Sequence, residues 1–113
     1  MILNKSQILA ANDLGLLEVP VPEWGGSVYL RVMTVGERDA FELEWNGTDG
    51  KVDDFRSKFL ARCLADDQGR RLFTDAELHL LAGKSAKVMS RLWKAAVEHN
   101  NLDEPAIQEA AKN

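Results

Sequence analysis

Cysteine is nearly absent from this sequence: the 113 residues contain one, Cys63. A single thiol excludes an internal disulfide framework and any cysteine-rich zinc module. A surplus of positive charge is missing as well. Fourteen Lys and Arg stand against 18 Asp and Glu, for a formal net charge of −4. Neutralising phosphates requires a basic surface, so nucleic-acid binding is not expected, and the densest basic cluster is the pair Arg70-Arg71. No apolar run approaches the ~20 residues that span a bilayer. The opening Met1-Ile2-Leu3-Asn4-Lys5 carries neither the apolar core nor the small-residue cleavage site of a secretory signal. No membrane association is expected, and a reducing cytoplasm is the expected setting.

What is present is ordinary for a folded domain, with 45% hydrophobic and 28% charged residues. A chain of this size can bury a core without covalent staples. Ser6 is placed to cap a short helix over residues 7–12, with Ile8, Leu9 and Leu14 turned inward and Gly15 ending the turn. The period then changes to two. Val19 and Val21 alternate with Pro20 and Pro22, Glu23-Trp24-Gly25-Gly26 interrupts, and Val28, Leu30 and Val32 alternate beyond. That pattern predicts a hairpin around a Gly-Gly turn that tolerates positive φ. Proline cannot donate to a ladder, so the first arm is expected at a sheet edge.

Thr34 and Glu37 have capping-box spacing and predict a helix to about Trp45, with Ala40, Phe41 and Trp45 near one face. Asn46-Gly47-Thr48-Asp49-Gly50 reads as a linker. Val52, Phe55, Phe59, Leu60, Cys63 and Leu64 then recur at helical steps. Asp66-Asp67-Gln68-Gly69 has turn chemistry, followed by a short extended link from Arg70 to Phe73. Thr74 and Glu77 repeat the capping-box spacing and predict a third helix ending at Gly83. Ser85 opens a longer one, with Val88, Met89, Leu92, Trp93, Ala96 and Val97 on its inner side and Asn100-Asn101 at its end. The expected class is α+β: an N-terminal β-hairpin followed by a small bundle of three to four α-helices. Residues 1–102 are expected to form one domain. Residues 103–113 are expected to be a polar C-terminal tail able to form a short, frayed helix through Pro105.

Catalytic patterns are weak throughout. The segment from Asn46 to Arg56 has the look of a calcium loop, but aligning Gly50 with its central glycine puts Trp45 at the first ligand position and Arg56 where a bidentate carboxylate is required. Asp75 and His79 share a helical face, yet no second histidine follows at helical spacing, and His99 lies near a helix end where a cationic ring is favoured in any case. Cys63 sits in an apolar stripe and reads as a buried structural thiol. There is no GxSxG elbow and no glycine-rich phosphate loop. No catalytic, metal or cofactor site is expected. The residues set apart are instead candidates for protein binding: Trp24 with Gly25 and Gly26 at the hairpin tip, and Phe41 and Trp45. Core packing, with the Trp24 indole folding back over the helices to close the core, is the weightier role for each aromatic, and more so for Phe41, Trp45 and Trp93 because they lie on helical stripes.

Taken in order, the segments are more specific than any one of them. Ser6-Gln7-Ile8-Leu9-Ala10-Ala11 precedes Glu18-Val19-Pro20-Val21-Pro22-Glu23-Trp24-Gly25-Gly26-Ser27-Val28. Leu30-Arg31-Val32-Met33-Thr34-Val35-Gly36-Glu37-Arg38-Asp39-Ala40-Phe41-Glu42 follows, then Phe55-Arg56, Ala61-Arg62-Cys63-Leu64-Ala65-Asp66 and Leu72-Phe73-Thr74-Asp75-Ala76-Glu77. This order, from about Ser6 to Asn101, resembles the small tail assembly chaperones of long-tailed, siphovirus-like bacteriophages. Met33-Thr34-Val35-Gly36 departs mildly from the usual Leu-Thr and small residue, and affects neither the cap nor the helix.

The resemblance implies a non-enzymatic role. Such a protein would bind the tape measure protein, keep it soluble and help recruit tail tube subunits. It would act in the host cytoplasm and be absent from the mature virion. The implied partners are the tape measure protein and the tail tube protein, with self-association a further option, and the implied cofactors are none. Three other classes stay open: a minor structural or tail-completion protein, a one-to-one adaptor and, last, a small enzyme.

Overall fold

The computed structural model describes residues 1–47 and 54–102, with side chains through 44 in the first stretch. The expected features at Thr48-Asp49-Gly50 and Val52, the Trp45 side chain, and the tail 103–113 lie outside the described residues. The chain forms α1 (Lys5–Ala10), the hairpin strands β1 (Leu16–Val21) and β2 (Gly26–Arg31), and the helices α2 (Val35–Gly47) and α3 (Phe55–Cys63). Next come a two-residue strand β3 (Leu64–Ala65), two 3₁₀ turns (Asp75–Glu77 and Leu80–Gly83) and α4 (Ala86–His99). This is the expected α+β arrangement of a hairpin followed by helices.

The strands form one antiparallel sheet in the order β1-β2-β3. Pro20, opposite Ser27, therefore sits on an edge strand as its missing N–H requires. The tip is a 3₁₀ turn, Pro22–Trp24, closed by the Gly25 amide donating to the Pro22 carbonyl at 3.0 Å. Of the two glycines only Gly25 uses left-handed backbone, at φ 77°. A Cβ there would meet no atom within 4 Å, so Gly25→Ala isolates the backbone cost. A loss of about 1 kcal/mol is expected on urea unfolding, against almost nothing for Gly26→Ala.

Three details correct the sequence reading. Asn4, not Ser6, caps α1: its Oδ1 accepts from the Gln7 amide at 2.9 Å, and Gln7 Oε1 accepts from the Asn4 amide at 2.9 Å. Ala11, in extended backbone, ends the helix well before Gly15. No residue of α1 is buried, and Ile8 and Leu9 are 58% and 75% exposed rather than turned inward. Second, Leu64 does not continue α3. It turns extended and pairs with Leu30, because the edge of β2 offers it a ladder partner. Third, the segment after Thr74 winds as two 3₁₀ turns instead of a helix, although the Thr74–Glu77 capping box forms as its spacing predicts. The first linker also starts later than expected, since α2 runs on through Asn46 and Gly47.

The core lies between the sheet, α3 and α4. All six inner positions expected of α4 are buried, and the Ser85 hydroxyl accepts from the Val88 amide at its N-terminus. Phe41, Phe55, Phe59 and Trp93 form a continuous aromatic cluster with ring centroids 5.1–5.5 Å apart, tilted or edge-on. Asn100, the C-cap of α4, is buried among these elements. Its Oδ1 accepts from the Met33 amide at 2.8 Å, and its Nδ2 donates to the Ala96 carbonyl at 2.9 Å. The Gly15 carbonyl accepts from His99 Nε2 at 2.8 Å, tying the lead into β1 to the end of α4.

Candidate protein-binding surface

The hairpin tip stands out from the sheet yet is fastened to α4. The carboxylate of Glu23 accepts from both terminal nitrogens of Arg91, at 2.7 and 3.2 Å. This contact is the first cause of the lowered pKa of Glu23 and of the raised pKa of Arg91. Such a fork-to-carboxylate pair fixes orientation more than it adds stability at an exposed position. Trp24 is 37% exposed, with Lys84 Nζ 5.8 Å from its ring centroid. The indole is thus neither closed into the core nor free of the helices. It lies over the lysine with more than a third of its surface in solvent.

The five candidate residues do not meet on one surface. Trp24, Gly25 and Gly26 share the tip. Phe41 is 1% exposed in the aromatic cluster, so its role in this conformation is packing. The Trp45 side chain lies outside the described residues. Exposed large apolar groups occur instead where the periodicity gave no reason to expect them: Val35 and Leu43 on α2, Leu72 and Leu80 around the 3₁₀ turns, and Ile2, Ile8 and Leu9 at the N-terminus.

A second feature combines residues that the sequence keeps apart. Arg31, at the end of β2, is 3% exposed and pairs with Glu37 in the first turn of α2. The same turn carries the capping box: Glu37 Oε1 accepts from the Thr34 amide at 2.9 Å, and the Thr34 hydroxyl accepts from the Glu37 amide at 3.1 Å. Burial alone would raise the pKa of Glu37. The hydrogen bonds from Arg31 and from the Thr34 amide and hydroxyl, with the Arg31 charge, outweigh it and hold the carboxyl below its ordinary value. Arg62 on α3 lies over the Phe41 ring at 5.5 Å and donates to Glu44 at 3.3 Å, beside Lys58 at 3.2 Å from the same carboxylate.

Arg71 is brought to this group by the turn before it. Asp66 Oδ1 accepts from the Gln68 and Arg70 amides at 2.8 and 3.0 Å, Gly69 takes φ 80°, and Arg71 bridges back to Ala65. Arg71 Nη1 reaches Asp75 at 2.9 Å and Glu37 at 3.6 Å. Gly36, Glu37, Ala40, Arg62, Arg71 and Asp75 together line a notch of about 210 Å³.

Cys63 is completely buried, and burial pushes its thiol up to about 12, which removes the thiolate needed for nucleophilic chemistry. Asp75 is joined to Arg71, and His79 is exposed on the following turn. Among the described residues no group of three His, Cys, Asp or Glu could hold a metal ion, and no helix is long and apolar enough to cross a membrane.

A small antiparallel sheet with its hairpin bound to a C-terminal helix, and helices completing the core, defines a compact α+β class. A solved structure shares it: the bacteriophage HK97 tail assembly chaperone superposes with a TM-score of 0.59 at 23% sequence identity, over 82% of this chain and 94% of that one. At that identity the likeness establishes a common fold. No protein-family model matches the sequence, and a search of the curated proteins finds no match either.

Proposed function

We propose that this chain is a non-enzymatic tail assembly chaperone of a long-tailed bacteriophage. In this reading residues 1–102 are the working unit; it binds the tape measure protein, keeps it soluble and helps bring tail tube subunits to it. It works in the host cytoplasm and leaves before the virion is complete. The observation that carries the reading is the fold shared with a tail assembly chaperone over 82% of this chain and 94% of that one. The order of sequence segments from Ser6 to Asn101 supports it independently.

The physical properties suit the task. A long helical protein with apolar stripes aggregates until it is enclosed. Exposed groups such as Trp24, Val35, Leu43 and Leu80 can cover such stripes, while the net charge of −4 keeps coated complexes apart. Many weak contacts along one filament hold by avidity and still yield to tube subunits. Co-expression with the tape measure protein of the same phage tests the reading. The expected product is a soluble complex carrying several copies of this chain per tape measure protein, with fewer copies for Trp24→Ala. A tape measure protein that stays insoluble, with this chain running alone, would overturn it; recovery of the chain in purified particles would favour a tail-completion role.

A further inference from the structure

The guanidinium groups around Glu37 are not fully used. Arg31 Nε, Arg62 Nη1, and both Nε and Nη2 of Arg71 are buried with no hydrogen-bond acceptor among the described residues. Buried donors of this kind are costly to leave unmade, so the three on Arg62 and Arg71, which both line the notch, ask for an acceptor. The Arg71 pair is the more telling. Nε and Nη2 form one edge of a guanidinium, the edge that grips both oxygens of a carboxylate in parallel. Nη1, on the opposite edge, is held by Asp75 and Glu37, which fixes the plane of the group. Arg62, 8% exposed, contributes a further donor from the facing helix α3.

We propose that this notch receives the carboxylate of a Glu or Asp side chain from a partner polypeptide, gripped by the Nε and Nη2 edge of Arg71 and by Arg62 Nη1. The inference deepens the chaperone reading, on which it rests for the partner's identity. A single carboxylate fits the unused donors: its two oxygens can accept from the Arg71 edge and from Arg62 Nη1, while Arg62 and Arg71 already balance Glu37 and Asp75 in the lining. A phosphate polymer fits less well, since the rim already carries Asp75 and the chain as a whole is acidic. The donors are out of contact with solvent, so docking requires the arginine side chains to turn toward the notch. Asp75, on the rim with a side chain 79% exposed, is a competing negative charge beside the incoming carboxylate.

The test needs no partner protein, so its failure is separate from a failure of co-expression. The arginine side-chain and backbone amide NMR signals of the full chain are followed during titration with N-acetylglutamate amide, with potassium chloride at matched ionic strength as control. Saturable shifts are expected at the Arg71 and Arg62 guanidinium signals and at the Gly36 and Glu37 amides. Arg71→Gln should weaken binding roughly tenfold, Arg70→Gln should leave it unchanged, and Asp75→Ala should tighten it by removing the competitor. The proposal is overturned if the shifts do not saturate, if chloride reproduces them, or if Arg70→Gln weakens binding as much as Arg71→Gln. Tighter saturation by inorganic phosphate would also overturn it, as would weaker binding in a folded Asp75→Ala.

Discussion

Glu37→Ala should lower the unfolding free energy by about 3 kcal/mol. Removing one partner of a buried ion pair leaves the other charge uncompensated, at a cost of about 3–5 kcal/mol when both are fully buried. Here Arg31 is nearly sealed, with a side chain 4% exposed, while that of Glu37 is 21% exposed, so solvent screening reduces the figure. The capping box adds to it, because the Thr34 amide loses the acceptor that Glu37 supplies at 2.9 Å. Glu37→Gln retains an acceptor for that amide and should cost less. Urea denaturation of the three proteins checks the order, and a Glu37→Ala loss below about 1 kcal/mol would mean that Arg31 finds water or another partner.

The same carboxylate makes stability depend on pH. Its folded pKa lies below the ordinary value of a free glutamate. The unfolded chain therefore takes up the proton first as pH falls, and folding is disfavoured progressively from just above the ordinary carboxylate pKa down through the lower, folded one. Above that window the contribution is fully present. Asp66 and Glu77 shift in the same direction, through backbone hydrogen bonds from Arg70 and Gln68 and from Thr74 respectively. Stability should therefore fall steadily on acidification below about pH 5, and the Glu37→Gln profile should be visibly flatter.

Much of the architecture was legible because its causes are local. Both threonine–glutamate capping boxes form at the predicted residues, and the tip turn follows from Pro22 and Gly25. The α4 stripe reads directly from its period, since one helix face meets one core. The misread features depend on distant partners. Leu64 and Ala65 extend the apolar stripe of α3, and only the edge of β2, about 35 residues earlier, decides that they become a strand. Ile8 and Leu9 are apolar, but α1 has no buried residue and leaves both largely in solvent. Arg31 and Arg62 are buried, and they pair with Glu37 and Glu44, which other elements bring to them. For the same reason the notch was invisible, since it is assembled from α2, α3 and the segment from Arg71 to Asp75. Trp24, singled out because a large aromatic beside two glycines has no local structural need, is 37% exposed, whereas Phe41, singled out with it, is closed into the aromatic cluster.

Asn100→Leu should destabilise the protein by about 2–4 kcal/mol, although the substitution brings a larger apolar side chain into an apolar setting. The Met33 amide, in a residue 6% exposed, would lose the Oδ1 acceptor it meets at 2.8 Å, and an orphaned buried donor costs about 1–3 kcal/mol. The remainder comes from forcing a branched side chain into a site shaped by a planar amide, whose Nδ2 lies 2.9 Å from the Ala96 carbonyl, 3.4 Å from that of Arg31 and 3.6 Å from Cys63 Sγ. The Ala96 carbonyl keeps the backbone bond from the Asn100 amide, so the loss is not the sum of every contact. Asn100 joins the end of β2, α3 and the C-terminus of α4, so losing it should loosen all three together. Cys63 reports this directly. Its thiol is buried and held up to about 12, so alkylation proceeds only from opened molecules. A loss of about 3 kcal/mol raises the open population roughly 100-fold, and iodoacetamide labelling under native conditions should accelerate in proportion. Faster labelling without a lower unfolding midpoint would confine the opening to the Asn100 junction. An unchanged labelling rate together with an unchanged midpoint would show that Asn100 does not hold these elements together.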